Sequence, residues 1–158
     1  MRLIVHQPQF MPWIGMWVRI AAAQKWVVYA GVKADFSDHQ HRVTLWNDLW
    51  VGMQVGKAQR NCLIKDIRVQ DHHSLRKLAR TLKEWVAKKP YGERLHPLIV
   101  YFEETQNEFM LDVDMNVFWL MNEILQFPIE VVIDLDERSH LEKLEKLQDC
   151  VETYGPVS

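Results

Sequence analysis

The chain has 158 residues, of which 48% are hydrophobic and 25% are charged, and its formal net charge is −2. This length fits one domain with a single core that buries roughly two-thirds of the unfolded chain's surface. The charge gives no global attraction to nucleic acid or membranes, and no stretch approaches the roughly 20 apolar residues that a membrane-spanning helix needs.

The first thirty residues predict a strand, a helix and a second strand. Residues 3–5 form an apolar run typical of a buried strand. Pro8 and Pro12 then exclude regular helix or central strand, and residues 14–25 are apolar enough for a buried helix. Residues 26–29 complete a βαβ unit, because a right-handed crossover places the two strands side by side and parallel.

The middle of the chain predicts a hairpin, a short strand and a basic helix. Residues 43–46 and 49–55 flank Asn47-Asp48, a two-residue connection that suits a β-hairpin. Residues 63–69 alternate apolar and polar side chains as a strand does. From Leu75 onward, leucines recur at helical spacing among lysines and arginines until Pro90 ends the helix.

The last third predicts three helices and one more strand. Residues 95–102 and 113–125 suit helices, with Asp112 or Asp114 as the N-cap of the second. The β-branched run 129–133 suits a second buried parallel strand, and Ser139 and Glu142 have capping-box spacing before the final helix. The predicted fold is an α/β domain over residues 1–158, with a mixed, mostly parallel sheet flanked by helices and a β-hairpin insertion after the second strand.

Cysteine usage indicates the compartment. Cys62 and Cys150 match no metal or redox spacing, and the N-terminus reaches polar residues too early for a signal peptide. We therefore expect two reduced thiols in a cytoplasmic protein with no membrane partner. Seven Trp are many for this length, and together with an incomplete sheet edge they favour a homo-oligomer.

The loop after the first strand is the first candidate site. Ligands of open α/β sheets bind at the carboxyl ends of the strands, so His6 and Gln7 are predicted to face a crevice. His6 suits a general base or acid and Gln7 can orient a carbonyl or phosphoryl oxygen; the alternative is that His6 only caps its strand. Phe10 and Trp13 could form an aromatic wall for a ligand, and at least one of them is expected in the core.

The string from His6 to Gly15 resembles the opening motif of the WbqC-like family, with seven positions in register: His6, Gln7, Pro8, Phe10, Pro12, Trp13 and Gly15. Weaker similarity continues through most of the chain. It matches Asp35 and Arg42 to the family's acidic residue and arginine after the second strand, and it implies that Lys65, Lys89 and Tyr91 contact substrate phosphate. Family members continue with further strands, so we expect a short version of the family or a truncated chain that lacks the C-terminal part.

A second polar segment, residues 35–42, follows the second strand. Arg42 offers a planar fork to a carboxylate or phosphate, and the hairpin beside it would hold it still. Asp38, His39 and His41 suggest metal ligands, but no further ligand has a recognisable spacing. We predict no metal site and no cofactor.

The basic helix, residues 76–89, has two interpretations. The first is a solvated face, which is ordinary for an amphipathic helix. The second is a landing surface for an anionic acceptor, including nucleic acid. We expect no exposed aromatic side chain on it, so stacking on single-stranded bases is not indicated.

No phosphate-binding glycine loop and no nucleophile elbow is present, so catalysis must depend on acid–base help and electrostatic positioning. The resemblance implies a transferase that moves a glycyl, aminoacyl or acyl group onto a sugar- or nucleotide-type acceptor. His6 would be the base, Gln7 would orient the acceptor and Arg42 would neutralise the leaving group. The alternatives are a noncatalytic subunit that binds a ligand or nucleic acid and a DNA base hypermodification transferase.

Overall fold

The computed structural model describes residues 1–36, 40–45, 48–137 and 141–155. Its central element is a three-stranded parallel sheet of β1 (Leu3–His6), β2 (Lys25–Tyr29) and β7 (Glu130–Asp134), in the order β1-β2-β7. Helix α1 (Ile14–Ala22) makes the crossover from β1 to β2. The predicted βαβ unit and α/β class are confirmed.

Strand β7 differs from its prediction because it lies at an edge of the sheet. Among the described strands it pairs with β2 alone, in register from Lys25 opposite Glu130 to Tyr29 opposite Asp134. Ile133 is 44% exposed, so the expectation of a fully buried strand is wrong. A β-branched run is compatible with an edge strand as well as a central one.

Helices cover both faces of the sheet. On one face, the rings of Trp26 in β2 and Trp17 in α1 both contact Phe118 of α4 (Met110–Leu125), with centroid distances of 4.8 and 5.3 Å. Side chains alternate between the faces of a strand, so Asp134 points to the other face, where it meets Cys150 of α5 (Lys143–Tyr154). The described residues therefore form a three-layer α/β domain.

The remaining helices form a second group beside this sheet. Helix α2 (His73–Val86) packs against α3 (His96–Glu104) through its predicted apolar stripe, which includes Leu75, Leu78 and Leu82. Helix α4 begins at Met110 with Phe109 as its N-cap residue. The proposed caps Asp112 and Asp114 are therefore wrong, because both lie inside the helix and Asp114 is buried.

The predicted hairpin is present, but its second strand is divided. Strand β3 (Arg42–Thr44) pairs antiparallel with β4 (Trp50–Gly52). After Met53 the chain enters β5 (Gln54–Val55), which pairs with β6 (Val69–Asp71) in a separate two-stranded sheet. Asn47 lies outside the described residues.

The strand predicted over residues 63–69 is wrong for most of its length. Ile64–Asp66 forms a 3-10 turn, and the strand β6 begins only at Val69. Ile64 and Ile67 are both completely buried. Their three-residue spacing fits one side of a 3-10 turn, whereas strand alternation would put them on opposite faces.

The final helix has a capping box, three residues later than predicted. Glu142 is the N-cap residue of α5: its side chain accepts from the backbone N–H of Glu145, and the Glu145 side chain accepts from the backbone N–H of Glu142. The predicted partner, Ser139, lies outside the described residues. None of the helices in the described ranges is long and apolar enough to cross a membrane.

Gly31, directly after β2, allows a close backbone contact that supports the sheet edge. A methyl group there would overlap the carbonyl oxygen of Asp136, which is part of the backbone after β7. Gly31→Ala is expected to lower the free energy of unfolding by roughly 1–3 kcal/mol, because overpacking against backbone cannot be relieved by a side-chain rotation. Chemical denaturation measures it. The control is Gly56→Ala, since an added methyl group there would touch only the Gln59 side chain, at 3.4 Å. Equal losses in the two variants would contradict this account.

Asp114 is a buried carboxyl group inside α4. Both of its oxygens lack a hydrogen-bond partner among the described residues, and burial raises the pKa of this carboxyl well above its usual range. As the pH rises through the ordinary pKa of Asp, the unfolded chain loses this proton while the folded chain keeps it, so stability falls until the folded pKa is passed.

Asp114→Asn removes this pH dependence. At pH 7 we expect the Tm of Asp114→Asn to exceed that of the unsubstituted protein by several degrees, at roughly 2–4 °C per kcal/mol. This difference in Tm should shrink as the pH falls to about 4. Thermal melts across this pH range measure it. Asp112→Asn, at an exposed position of the same helix, should show no such trend, and an advantage of Asp114→Asn that is independent of pH would contradict the explanation.

Candidate functional site

The carboxyl ends of the three parallel strands meet at one edge of the sheet. His6, Tyr29 and Asp134 are the last residues of β1, β2 and β7. The pairing of Val28 with both His6 and Ile133 sets the three ends at nearly the same level. This is the position at which ligands bind in open α/β sheets.

His6 is half-buried at this edge, and its hydrogen bond defines which ring nitrogen is basic. Nδ1 lies 2.8 Å from the carbonyl oxygen of Gln7. A carbonyl oxygen only accepts, so Nδ1 carries the proton and the neutral ring has its lone pair on Nε2. His6 therefore makes the backbone contact of the capping interpretation, and the same contact prepares Nε2 to act as a base.

Gln7 is connected to the second polar segment by Gln40. The Gln40 Nε2 group donates to Gln7 Oε1 at 2.6 Å, and the backbone N–H of Asp35 donates to Gln40 Oε1 at 3.0 Å. Gln40 is completely buried. This contact brings the segment after β2 against the loop after β1, as the shared sheet edge predicts. The sequence analysis missed Gln40, since nothing in its spacing separates it from the polar residues around it.

A surface pocket of about 410 Å³ lies beside this contact, lined by Ala34, Asp35, Phe36 and Arg60. Among the described lining residues, Asp35 and Arg60 carry charges of opposite sign, and both are exposed. The pocket therefore offers a carboxylate to a cationic group and a guanidinium to an anionic one, beside one aromatic ring.

Arg60 reaches the pocket through backbone pairing that the sequence analysis missed. Lys33 and Leu63 form an antiparallel bridge. The backbone N–H of Ala34 donates to the Cys62 oxygen at 3.2 Å, next to that bridge. No periodicity or motif marks this pairing, so only the tertiary structure places Arg60 opposite Asp35.

Arg42 lies beside the pocket rather than among its lining residues. Its guanidinium carbon is 4.5 Å from the centroid of the Trp50 ring, across the hairpin, and its Nε lacks a partner among the described residues. The neighbouring His41 packs edge-on against Phe36 at 4.9 Å. The hairpin thus holds Arg42, as expected, and connects it to the pocket through His41 and Phe36. Asp38 and His39, considered above as metal ligands, lie outside the described residues.

The two aromatic residues of the motif have different environments. Phe10 is completely buried, 5.8 Å from the Phe102 ring. Trp13 is 48% exposed, and its ring lies over Gly15 so closely that any side chain at that position would overlap it. We therefore assign Phe10 to the core, and Trp13 is the one that a ligand can reach.

The structure separates Lys65 from Lys89 and Tyr91. Lys65 lies at the sheet edge, where its backbone N–H donates to Ala30 and its Nζ donates to the Leu135 carbonyl at 2.7 Å. Lys65 therefore links the segments after β2 and β7, through its backbone and its ammonium group respectively. Lys89 and Tyr91 follow α2, and none of their described contacts joins them to His6, Gln7 or the pocket.

The basic helix presents its cations to solvent, together with one aromatic ring. The exposed cations are Arg76, Lys77, Arg80, Lys83, Lys88 and Lys89. Trp85 is 38% exposed, and the Lys89 Nζ lies 5.6 Å from the centroid of its ring. The expectation that this helix lacks an exposed aromatic side chain is therefore wrong, because Trp85 lies at the margin of the apolar stripe.

The pKa of His41 reports the position of Arg42. Burial, and then the charge of Arg42, lower the pKa of His41 below its usual value. Arg42→Gln is expected to raise that pKa, while burial keeps it below the usual value. NMR titration of the His41 ring measures the change. Arg68→Gln is the control, since Arg68 pairs with Glu108 elsewhere. An unchanged His41 pKa in Arg42→Gln would show that the guanidinium lies farther away.

Comparison with protein-family models identifies a family for this chain. The model of the WbqC-like protein family matches residues 7–156 of the 158-residue chain. No curated protein and no solved structure gives a significant match. The matched range extends from Gln7 in the candidate site through the final helix α5. The chain belongs to the WbqC-like protein family.

Proposed function

We propose that this protein is a transferase that moves an amino-acid-like (glycyl or aminoacyl) or acyl group onto a sugar- or nucleotide-type acceptor. One observation carries the proposal: the Nε2 lone pair of His6 and a pocket with charges of both signs lie at the same edge of the sheet, joined through Gln7 and Gln40. A base and paired charges are what acyl transfer from a charged donor requires.

The proposed reaction assigns a role to each group. The acceptor's amine or hydroxyl attacks the donor's carbonyl carbon, and His6 Nε2 takes the proton that this nucleophile loses. The leaving group departs with the electron pair of the broken bond. Asp35 attracts the ammonium group of an aminoacyl donor, and Arg60 and Arg42 stabilise an anionic leaving group.

The alternatives remain a noncatalytic subunit of a modification pathway and a DNA base hypermodification transferase. The basic face of α2 favours a nucleic-acid partner for either one, since exposed lysines and arginines attract phosphates and Trp85 offers a ring for stacking. Lys83 is partly neutralised, because its Nζ lies 3.8 Å from a carboxylate oxygen of Glu103.

Two further predictions accompany this proposal. Cys62 and Cys150 form no disulfide bond with each other or with any other described residue, and we propose that the protein functions in the cytoplasm. We also propose self-association, because α1 exposes 75% of Ile14 and 62% of Val18, and contact with a second copy would bury this apolar surface.

A ligand screen by thermal shift tests the proposal. The ligands are amino acids, nucleotides, nucleotide-sugars and short DNA, applied to the unsubstituted protein, His6→Ala and Arg60→Gln. A ligand of the pocket should stabilise the first by about 2.7 kcal/mol at a hundredfold excess over Kd, and should stabilise Arg60→Gln less. His96→Ala, at an exposed histidine, is the control.

Turnover then separates the candidate functions. With any donor and acceptor found by the screen, His6→Ala should bind but lose turnover, while His96→Ala keeps both. Binding without turnover in the unsubstituted protein favours the noncatalytic subunit. DNA binding that weakens steeply with salt and is unaffected by Arg60→Gln favours the basic helix as the functional surface.

A further inference from the structure

Gln40 is a completely buried polar side chain at the candidate site. None of its surface is exposed to solvent, and both ends of its amide are engaged, by the Asp35 backbone and by Gln7. Burial of an amide without such partners is costly. Gln40 is therefore held by its partners on both sides.

The direction of these hydrogen bonds follows from one backbone group. The N–H of Asp35 can only donate, so the atom of Gln40 that faces it must be the oxygen. The NH2 group of Gln40 must then face Gln7, and the Gln7 atom that receives it must also be an oxygen. Turning either amide would place two NH2 groups, or two oxygens, against each other.

Gln7 consequently presents its own NH2 group away from Gln40. We propose that Gln40 is a positioning residue that holds the Gln7 amide as a hydrogen-bond donor, so that the group bound at Gln7 is an acceptor oxygen of a carbonyl, carboxylate or phosphoryl group. This inference concerns the site of the proposed transferase and deepens that proposal.

Gln40→Glu tests the orientation without any ligand. A glutamate still accepts from the Asp35 N–H but cannot donate, so the Gln7 amide is expected to turn and donate inward. Gln24→Glu is the matched control, because the Gln24 side-chain oxygen also accepts from a backbone N–H, that of Arg2, at the opposite end of the sheet.

Side-chain amide hydrogen exchange, followed by NMR, provides the readout. In the unsubstituted protein the Gln40 NH2 protons should exchange at least about tenfold more slowly than those of Gln7, since only the former are buried. In Gln40→Glu the Gln7 protons should slow, and in Gln24→Glu they should not. Slow Gln7 protons in the unsubstituted protein, or unchanged ones in Gln40→Glu, would overturn the assignment.

Titration with inorganic phosphate and acetate tests the ligand class. The Gln7 NH2 resonances should shift in the unsubstituted protein and in Gln24→Glu, and affinity should fall about tenfold in Gln40→Glu, as expected for one lost hydrogen bond. If neither anion moves these resonances in the unsubstituted protein, the acceptor class is wrong.

A second variant covers the outcome in which Gln40→Glu fails to fold. Gln7→Glu keeps the acceptor for Gln40 and turns a carboxylate outward, so it should lose phosphate binding while the Gln40 protons still exchange slowly. Retained phosphate binding would overturn the proposal. The exchange pattern does not depend on turnover. If the pattern is found without turnover, only the proposed transferase activity is wrong. If turnover is found and the Gln40 protons exchange freely, only the proposed role of Gln40 is wrong.

Discussion

Parallel pairing of β1, β2 and β7 is the constraint on which the rest of the structure depends. This pairing places the carboxyl ends of three strands that are far apart in sequence at one edge of the sheet. The loops that follow these strands therefore lie at the same edge. Trp26 and Trp17 secure this arrangement through their shared contact with Phe118 of α4. The chemistry proposed for His6 is a consequence of where β1 ends.

The second constraint is the contact between the loop after β1 and the segment after β2. Gln40 closes it with two hydrogen bonds in a buried position, and the pairing of Lys33 with Leu63 brings Arg60 to the same place. The hydrogen bonds of Gln40 are polar and directional, so they also determine which end of the Gln7 amide faces Gln40. The hydrogen bonds of Gln40 therefore both hold the two segments together and orient the Gln7 amide.

The cations Lys65, Arg42 and Arg60 have different environments in the structure. Lys65 uses its ammonium group on a backbone carbonyl, and Arg42 lies on the Trp50 ring. Arg60 is exposed at the pocket. The resemblance and the polarity of the sequence indicated the first two but not the third, because a residue's partners depend on pairing between distant segments. Charge alone did not identify the cation that lines the pocket.

The sequence by itself determined the α/β class, the βαβ unit, the hairpin, most helix positions and the motif that begins at His6, because periodicity, proline positions and turn chemistry act locally. It misassigned residues 63–69, where Ile64 and Ile67 have the three-residue spacing of a 3-10 turn, and it misassigned the caps of α4. Only the tertiary structure decided that Phe10 belongs to the core, that Trp85 is exposed and that Gln40 and Arg60 belong with Gln7 and Asp35. Those outcomes depend on which segments pack together, and no local pattern records that.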